Sequence, residues 1–148
     1  MPTDSIERPH IPVLLNEVLE YLNPHANEIY VDGTLGAGGY TRAILDASKN
    51  VHVIGFDRDK TAHDMASTWS VPYSERLTLV KSSFAEMGTK LDEMGVGQVD
   101  AIILDLGVSS MQIDEAERGF SFRFDAPLDM RMDRSTGRTA ANLVNELP

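Results

Sequence analysis

Val31-Asp32-Gly33-Thr34-Leu35-Gly36-Ala37-Gly38-Gly39 is a glycine-rich stretch that begins at the last of the apolar residues 29–31. It directly precedes residues 40–47, which have helical character. Glycines at such a junction allow a sharp turn and let the backbone approach a ligand with no Cβ in the way. Residues 33–39, called the glycine loop below, are therefore predicted to connect a strand to a helix and to bind a ligand. A plain tight turn without a ligand is the alternative.

A dinucleotide is the competing ligand for the glycine loop. Its fingerprint, G-x-G-x-x-G, needs a third glycine, and counted from Gly36 and Gly38 that position is Thr41. The loop therefore favours a nucleoside-type ligand other than a nicotinamide dinucleotide. Asp32, at the end of the preceding strand, is suited to a cationic group such as the ammonium of a methionine moiety.

Three further apolar runs have the composition of strands that are buried on both faces of a sheet. They are residues 51–56, 77–80 and 99–104. Helical character is found before the first run and between successive runs, at residues 13–22, 40–47, 59–68 and 84–94. This alternating order predicts a doubly wound α/β domain whose four strands are parallel.

The length of 148 residues suits a single domain over residues 1–148. Residues 107–138, called the motif segment below, form a long stretch without sustained helical or strand period, and such loops are usually functional or disordered. A helix-like segment follows at residues 139–147. Because a four-strand sheet leaves the apolar strand at residues 99–104 without an outer neighbour, we expect the chain to be part of a longer protein.

Composition excludes several classes of function. The absence of cysteine removes disulfides, thiolate metal sites and thiol nucleophiles. No signal peptide and no run of about 18 apolar residues occurs, so we expect a cytoplasmic protein that does not contact a membrane. No Gly-x-Ser-x-Gly or Gly-Lys-Ser/Thr motif is present. No metal is expected, because the histidines lack metal-ligand spacing: His10, His25, His52 and His63.

The net charge of −10 argues against broad electrostatic binding of nucleic acid. Arginines are nevertheless concentrated near the C-terminus, where acidic residues balance them: Arg118, Arg123, Arg131, Arg134 and Arg138. Contacts with RNA would therefore come from this third of the chain or from a region absent here. Two interpretations of the arginines stay open, namely phosphate contact beside a cleft and local pairing with aspartates.

Polar and aromatic residues at the strand ends are the candidate ligand contacts. Asp57, about 20 residues after the glycine loop, is placed to accept hydrogen bonds from both ribose hydroxyls, whereas Asp59 is better placed to cap the next helix. Phe84 follows the third strand and is either a purine-stacking ring or a core residue. Asp105 follows the fourth strand, where an isolated buried carboxylate is hard to explain by packing.

These motifs resemble the bacterial 16S rRNA cytosine-N4 methyltransferase family over nearly all of the chain. The resemblance is carried by residues 10–18, 30–41, 55–59 and 105–110, and above all by Asp114-Glu115-Ala116-Glu117-Arg118-Gly119-Phe120-Ser121-Phe122 and Pro127-Leu128-Asp129-Met130-Arg131-Met132-Asp133. It implies a Rossmann-like class I methyltransferase sheet, of which the first half is present here. It also implies an inserted helical domain and further strands that this chain lacks.

The resemblance implies S-adenosyl-L-methionine as the cofactor. Its contacts would fall on Gly38, Gly39, Tyr40, Asp57, Phe84, Asp105 and Gln112. Tyr40 stands where histidine is most frequent in the family, and Met111 stands where proline is common.

The implied activity is methyl transfer to the N4 of a cytosine in 16S ribosomal RNA, in the decoding region of the small ribosomal subunit, which would be the partner. No catalytic residue is assigned, and the oligomeric state stays open, a homodimer included. Two alternatives remain: a nucleoside-binding module without catalysis, and a nicotinamide-dependent oxidoreductase.

Overall fold

The computed structural model describes residues 12–148. Its strands are β1 (Ile29–Asp32), β2 (His52–Asp57), β3 (Leu77–Lys81) and β4 (Ala101–Ile103). Its α-helices are α1 (Leu15–Leu22), α2 (Gly39–Ala47), α3 (Lys60–Trp69), α4 (Met87–Glu93), α5 (Ser110–Asp114) and α6 (Ala140–Glu146). Short 3-10 turns occur at Val71–Tyr73, Phe84–Glu86 and Ala116–Arg118.

The four strands form one parallel sheet in the order β3-β2-β1-β4. Val31 in β1 is level with Ile54 on one side and with Ile102 on the other. The doubly wound α/β order predicted from the sequence is confirmed. Because β2 and β3 lie on one side of β1 and β4 on the other, the strand order reverses between β1 and β4, where open α/β sheets bind ligands at the carboxyl edge.

Apolar side chains are buried on both faces of the sheet, as the near-continuous apolar strands predict. One cluster has Tyr30 and Val53 at its centre, with α2 and part of α1 packed on it. The other has Val31, Ile54 and Phe56, covered by Met87 of α4. Alternate residues of β1 thus point to opposite faces, and this fixes which side of the sheet each helix covers.

Two predicted segments differ from the structure. The run at 99–104 contributes only Ala101–Ile103 to the sheet, and Leu104 is exposed. The motif segment is not entirely irregular, because α5 and a 3-10 turn lie within it. Helix α5 begins at a capping box, in which the Ser109 hydroxyl accepts from the Gln112 amide and the Gln112 side chain accepts from the Ser109 amide.

Strand β4 lies at the edge of the sheet, and within residues 12–148 it pairs with β1 alone. Ile102 and Leu104 are both about half exposed there. Over the same residues, no helix has the length and apolar character that crossing a bilayer requires. The first two residues of the motif at 10–18, His10 and Ile11, lie outside the described residues.

Candidate functional site

The carboxyl ends of β1, β2 and β4 carry the glycine loop, Asp57 and Asp105 to one edge of the sheet. The Gly36 amide donates to Asp57 Oδ2 over 2.9 Å, and the Asp105 amide donates to Thr34 Oγ1 over 2.7 Å. These two hydrogen bonds tie the glycine loop to the ends of β2 and β4. Three of the strand ends that the sequence singled out are therefore adjacent in the fold.

At positions 38 and 39 there is no room for a Cβ unless a neighbouring side chain shifts. Gly38 has φ +79°, and a Cβ there would overlap the Trp69 indole. A Cβ on Gly39 would overlap Pro12. By contrast, a Cβ on Gly36 would meet nothing closer than 3.8 Å. The sequence suggests that these glycines keep space clear for a ligand. At Gly38 and Gly39 the structure gives a different reason for glycine, because protein atoms occupy the Cβ positions.

Asp32 does not offer its carboxylate to a ligand, contrary to the expectation that it meets a cationic group. Its side chain is fully buried, with Oδ2 accepting from Thr41 Oγ1 over 2.7 Å and Oδ1 from the Thr34 amide over 3.1 Å. Burial raises the pKa of Asp32 to about 6, although both hydrogen bonds act to lower it. Asp32 therefore organises the glycine loop from beneath.

Asp57 is held in one orientation by two backbone amides. Its Oδ2 accepts from Gly36 and its Oδ1 from Asp59, each over 2.9 Å. A carboxylate has about four acceptor positions, so each oxygen keeps capacity for a second donor. The arrangement suits a ligand that presents two neighbouring hydroxyls, as a ribose does.

Asp59 caps α3, as predicted, with Oδ1 accepting from the Thr61 amide over 3.0 Å. It also has a role that the sequence did not reveal. Its Oδ2 accepts from Gln112 Nε2 over 2.9 Å and from an Arg118 guanidinium nitrogen over 2.6 Å. Gln112, a predicted cofactor contact, therefore directs its side-chain amide to Asp59. Arg118, which the sequence predicted only as one of several clustered arginines, is buried beside it.

Phe84 and Asp105 are both accessible. Phe84 is 43% exposed at the start of a 3-10 turn after β3, so it is not a core residue and its ring can contact a ligand. Asp105 is also exposed, so the premise that this carboxylate would be buried was wrong. It follows β4, as expected, and the structure adds the hydrogen bond from its amide to the glycine loop.

Tyr40 differs from the other predicted contacts, because its side chain is buried in the first core cluster. Its hydroxyl donates to the Val13 carbonyl, which joins α2 to the start of α1. Burial, followed by the carboxylates of Asp105 and Asp32, raises the pKa of this hydroxyl. At position 40 the backbone amide, in the first turn of α2, is therefore better placed for a ligand than the phenol.

An open cleft of about 510 Å³ lies between the ends of β2 and β3 and the motif segment. Both signs of charge line it, from Arg58 and Lys81 and from Glu86 and Asp133, and Ser82 and Ser83 form part of its wall. Its lining includes Arg58, the neighbour of Asp57 in sequence, and Ser83, the neighbour of Phe84. It extends the predicted site along the carboxyl edge.

Arginines of the motif segment pair with carboxylates, as the local-pairing interpretation predicts. Arg131 makes a two-pronged contact with Asp129, with both nitrogen–oxygen distances at 2.8 Å. Arg134 lies 3.8 Å from Glu117 and 4.0 Å from Asp129. Near Arg138 the partner is Glu146 of α6. This favours a structural role for these three arginines over phosphate contact.

Comparison with solved structures gives the fold class. A crystal structure of an rRNA methylase from Streptococcus thermophilus aligns with a TM-score of 0.52 and 25% identity, covering 66% of this chain and 57% of that one. The C-terminal domain of precorrin-6Y C5,15-methyltransferase from Rhodobacter capsulatus aligns with a TM-score of 0.56 and 16% identity, covering 70% and 55%. The fold is that of the Rossmann-like methyltransferases.

Sequence comparison then gives the family. The profile of the MraW methylase family matches residues 7–148, and this chain belongs to that family. Ribosomal RNA small subunit methyltransferase H of Geotalea uraniireducens (strain Rf4) is 55% identical over 139 residues, which cover 93% of this chain and 45% of that protein. The enzyme of the same name from Cutibacterium acnes (strain DSM 16379 / KPA171202) is 46% identical, covering 99% and 45%. The chain spans about half the length of these relatives.

Proposed function

We propose that this chain is the cofactor-binding part of an S-adenosylmethionine-dependent enzyme that methylates the N4 of a cytosine in 16S ribosomal RNA of the small subunit, in the cytoplasm. Family membership and the names of the relatives support the proposal. The observation that carries it is the Asp57 carboxylate, fixed between the amides of Gly36 and Asp59 at the end of β2. An acidic side chain held at the end of the second strand is suited to accept hydrogen bonds from the ribose hydroxyls of the cofactor.

We propose that the predicted contacts meet successive parts of the cofactor along the sheet edge. Helix α2 begins at Gly39 with no side-chain cap, so the amides of Gly39 and Tyr40 point their partial positive charge at the site and suit the methionine carboxylate. Asp57 would take the ribose hydroxyls and Phe84 would lie against the adenine. Asp105 would close the site on the β4 side, and the backbone around Gln112, whose side chain reaches Asp59, would close it beside the ribose.

The bound cofactor supplies an electrophilic methyl group on a sulfonium, and the residues of this chain would align it with the acceptor. Such positioning contributes roughly 7 to 11 kcal/mol in favourable cases. The N4 amine of cytosine is a weak nucleophile because its lone pair is delocalised into the ring. An oxygen that accepts a hydrogen bond from the N4 amine would localise the lone pair, and the exposed Asp105 carboxylate is the candidate that this chain offers. The cytosine must leave its base stack to reach this carboxylate.

The first experiment is calorimetric titration of the chain with S-adenosylmethionine and, separately, with NADH. We expect binding of S-adenosylmethionine alone, because the third glycine of the dinucleotide fingerprint is replaced by Thr41, which is buried against Asp32. Binding of NADH, or of neither ligand, would contradict the proposed cofactor.

A second experiment separates the enzyme from a nucleoside-binding module without catalysis. Methyl transfer to purified small ribosomal subunits is measured with this chain and with a relative of full length. We propose that the parts of the relatives beyond this chain, an inserted helical domain and further strands, hold the RNA.

Asp105→Ala in the full-length relative should lower turnover more than cofactor affinity, and unchanged turnover would remove Asp105 from the mechanism.

A further inference from the structure

Arg118 is a charged side chain in the interior of the molecule, with only 2% of its surface exposed. One guanidinium nitrogen donates to Asp59 Oδ2 over 2.6 Å and also lies 3.2 Å and 3.0 Å from the carbonyl oxygens of Arg131 and Met132. Within the described residues its Nε has no hydrogen-bond partner. Burying a charge in this way is costly unless its contacts compensate, so the position of Arg118 calls for a reason beyond filling space.

The contacts of Arg118 lead directly to the proposed ribose-binding carboxylate. Arg118 and Gln112 both donate to Asp59 Oδ2, and the backbone amide of Asp59 donates to Asp57 Oδ1 over 2.9 Å. Burial alone would raise the pKa of Asp59, but the hydrogen bonds from Arg118, Gln112 and the Thr61 amide, together with the charge of Arg118, lower that pKa. Asp59 is thus held as an anion by the motif segment while its amide orients Asp57.

The Arg118 guanidinium also donates to the segment that lines one side of the cleft. Residues 131 and 132, whose carbonyls it contacts, line the cleft, and the Arg118 carbonyl accepts from the Met130 amide over 3.0 Å. Gly119, with φ +73°, allows this approach, since a Cβ there would overlap the Pro127 carbonyl. Arg118 therefore connects the cleft wall at residues 130–132 to the turn that carries Asp57 and Asp59.

We propose that Arg118 is a positioning residue for cofactor binding: through Asp59 it fixes the carboxylate of Asp57 toward the ribose hydroxyls and closes the motif segment beside them. The inference rests on the proposed function and adds to it a residue that touches no cofactor atom.

The test is a cycle of variants against ligands, measured by calorimetry. Wild type, Arg118→Met and Asp57→Asn are each titrated with S-adenosylhomocysteine and with its 2′,3′-dideoxy analogue. A hydrogen bond to a charged group corresponds to a preference of about tenfold or more for the ribose ligand. We expect wild type to show this preference, and both Arg118→Met and Asp57→Asn to lose most of it.

Arg134→Met is the matched control, because Arg134 lies in the same segment and is half-exposed, about 4 Å from its carboxylate partners. It should keep the wild-type preference. If Arg118→Met does not fold, two substitutes that avoid an unpaired buried anion are used in the same cycle, Arg118→Lys and the double variant Arg118→Met/Asp59→Asn.

The ratio of the two affinities distinguishes positioning from a merely structural role. Loss of affinity by the same factor for both ligands, with the ribose preference intact, overturns the inference and leaves the proposed function standing. Failure of wild type to bind S-adenosylhomocysteine, or binding without a ribose preference, overturns the proposed function itself.

Discussion

The glycine loop and the motif segment both lie at the carboxyl edge of the sheet, but different forces hold them. The backbone amides of the glycine loop hold it in place: those of Leu35 and Gly38 donate to backbone carbonyls, and those of Thr34 and Gly36 donate to buried or half-buried carboxylates. Side-chain ion pairs fix the motif segment, chiefly Arg118 with Asp59 and Arg131 with Asp129. The loop is therefore specified by where small residues stand, and the segment by which charges are buried together.

If this contrast is right, removing one buried charge should damage the fold most. Arg118→Met leaves the Asp59 carboxylate buried without its cation, which should cost about 3 to 5 kcal/mol in the free energy of unfolding. Urea unfolding measures it. The double variant Arg118→Met/Asp59→Asn should recover a large part of that loss, because no unpaired charge remains. A single variant within about 0.5 kcal/mol of wild type would show that the pair does not hold the segment.

In the glycine loop, the corresponding change is steric. Gly38→Ala adds a Cβ at φ +79° and against Trp69, so we expect roughly 1 to 2 kcal/mol from the backbone and a further 1 to 3 from the overlap. Gly137→Ala is the matched control: Gly137 has the same φ of +79°, and within the described residues no atom lies within 4 Å of its Cβ position. Urea midpoints that fall equally for both variants would mean that Trp69 simply moves aside.

The two regions should also respond to pH in opposite directions. The pKa of Asp32 is raised to about 6, so the folded state binds more protons than the unfolded chain between about pH 4 and 6, and stability falls as the pH rises through that window. The hydrogen bonds and charge of Arg131 lower the pKa of Asp129 to about 2, so its stabilising contribution is lost as the pH falls from about 4 to 2.

Two asparagine variants isolate these windows. Asn at position 32 can accept from the Thr34 amide and donate to Thr41, so the stability difference between Asp32→Asn and wild type should grow in favour of the variant from pH 4 to 6. The difference for Asp129→Asn should shrink from pH 4 to 2. Each change is on the order of 2 to 3 kcal/mol, read from urea unfolding across pH. A flat difference in either window would contradict the corresponding assignment.

Surface charges in the motif segment should matter least. Arg134 is 46% exposed and lies 3.8 Å and 4.0 Å from its carboxylate partners, so Arg134→Met should change the free energy of unfolding by less than about 0.5 kcal/mol. A large loss in urea unfolding would mean that exposed and buried arginines hold the segment alike.

The contrast also explains what the sequence could predict. The alternation of strands and helices along the chain, the glycine loop between β1 and α2 and the position of Asp57 at the end of β2 follow from patterns within about 30 residues, and the structure has all of them. Arg118 and Asp59 are 59 residues apart, and nothing in their local sequence shows that they are buried together. The burial of Asp32 depends likewise on packing between elements. Helix α5 is different, because its Ser-x-x-Gln capping signal at Ser109 and Gln112 is visible in the sequence.

The backbone amides of Gly36 and Asp59, which donate to the Asp57 carboxylate, also affect how tightly a ligand can bind. A free aspartate at this edge would lose rotamer freedom on meeting a ligand, at about 0.5 to 1.5 kcal/mol for a side chain immobilised at an interface. Gly36 and Asp59 have already restricted Asp57 in the folded chain. That entropy is lost during folding, so a diol that reaches the carboxylate binds a few-fold more tightly than it would bind to the same residue on a mobile loop.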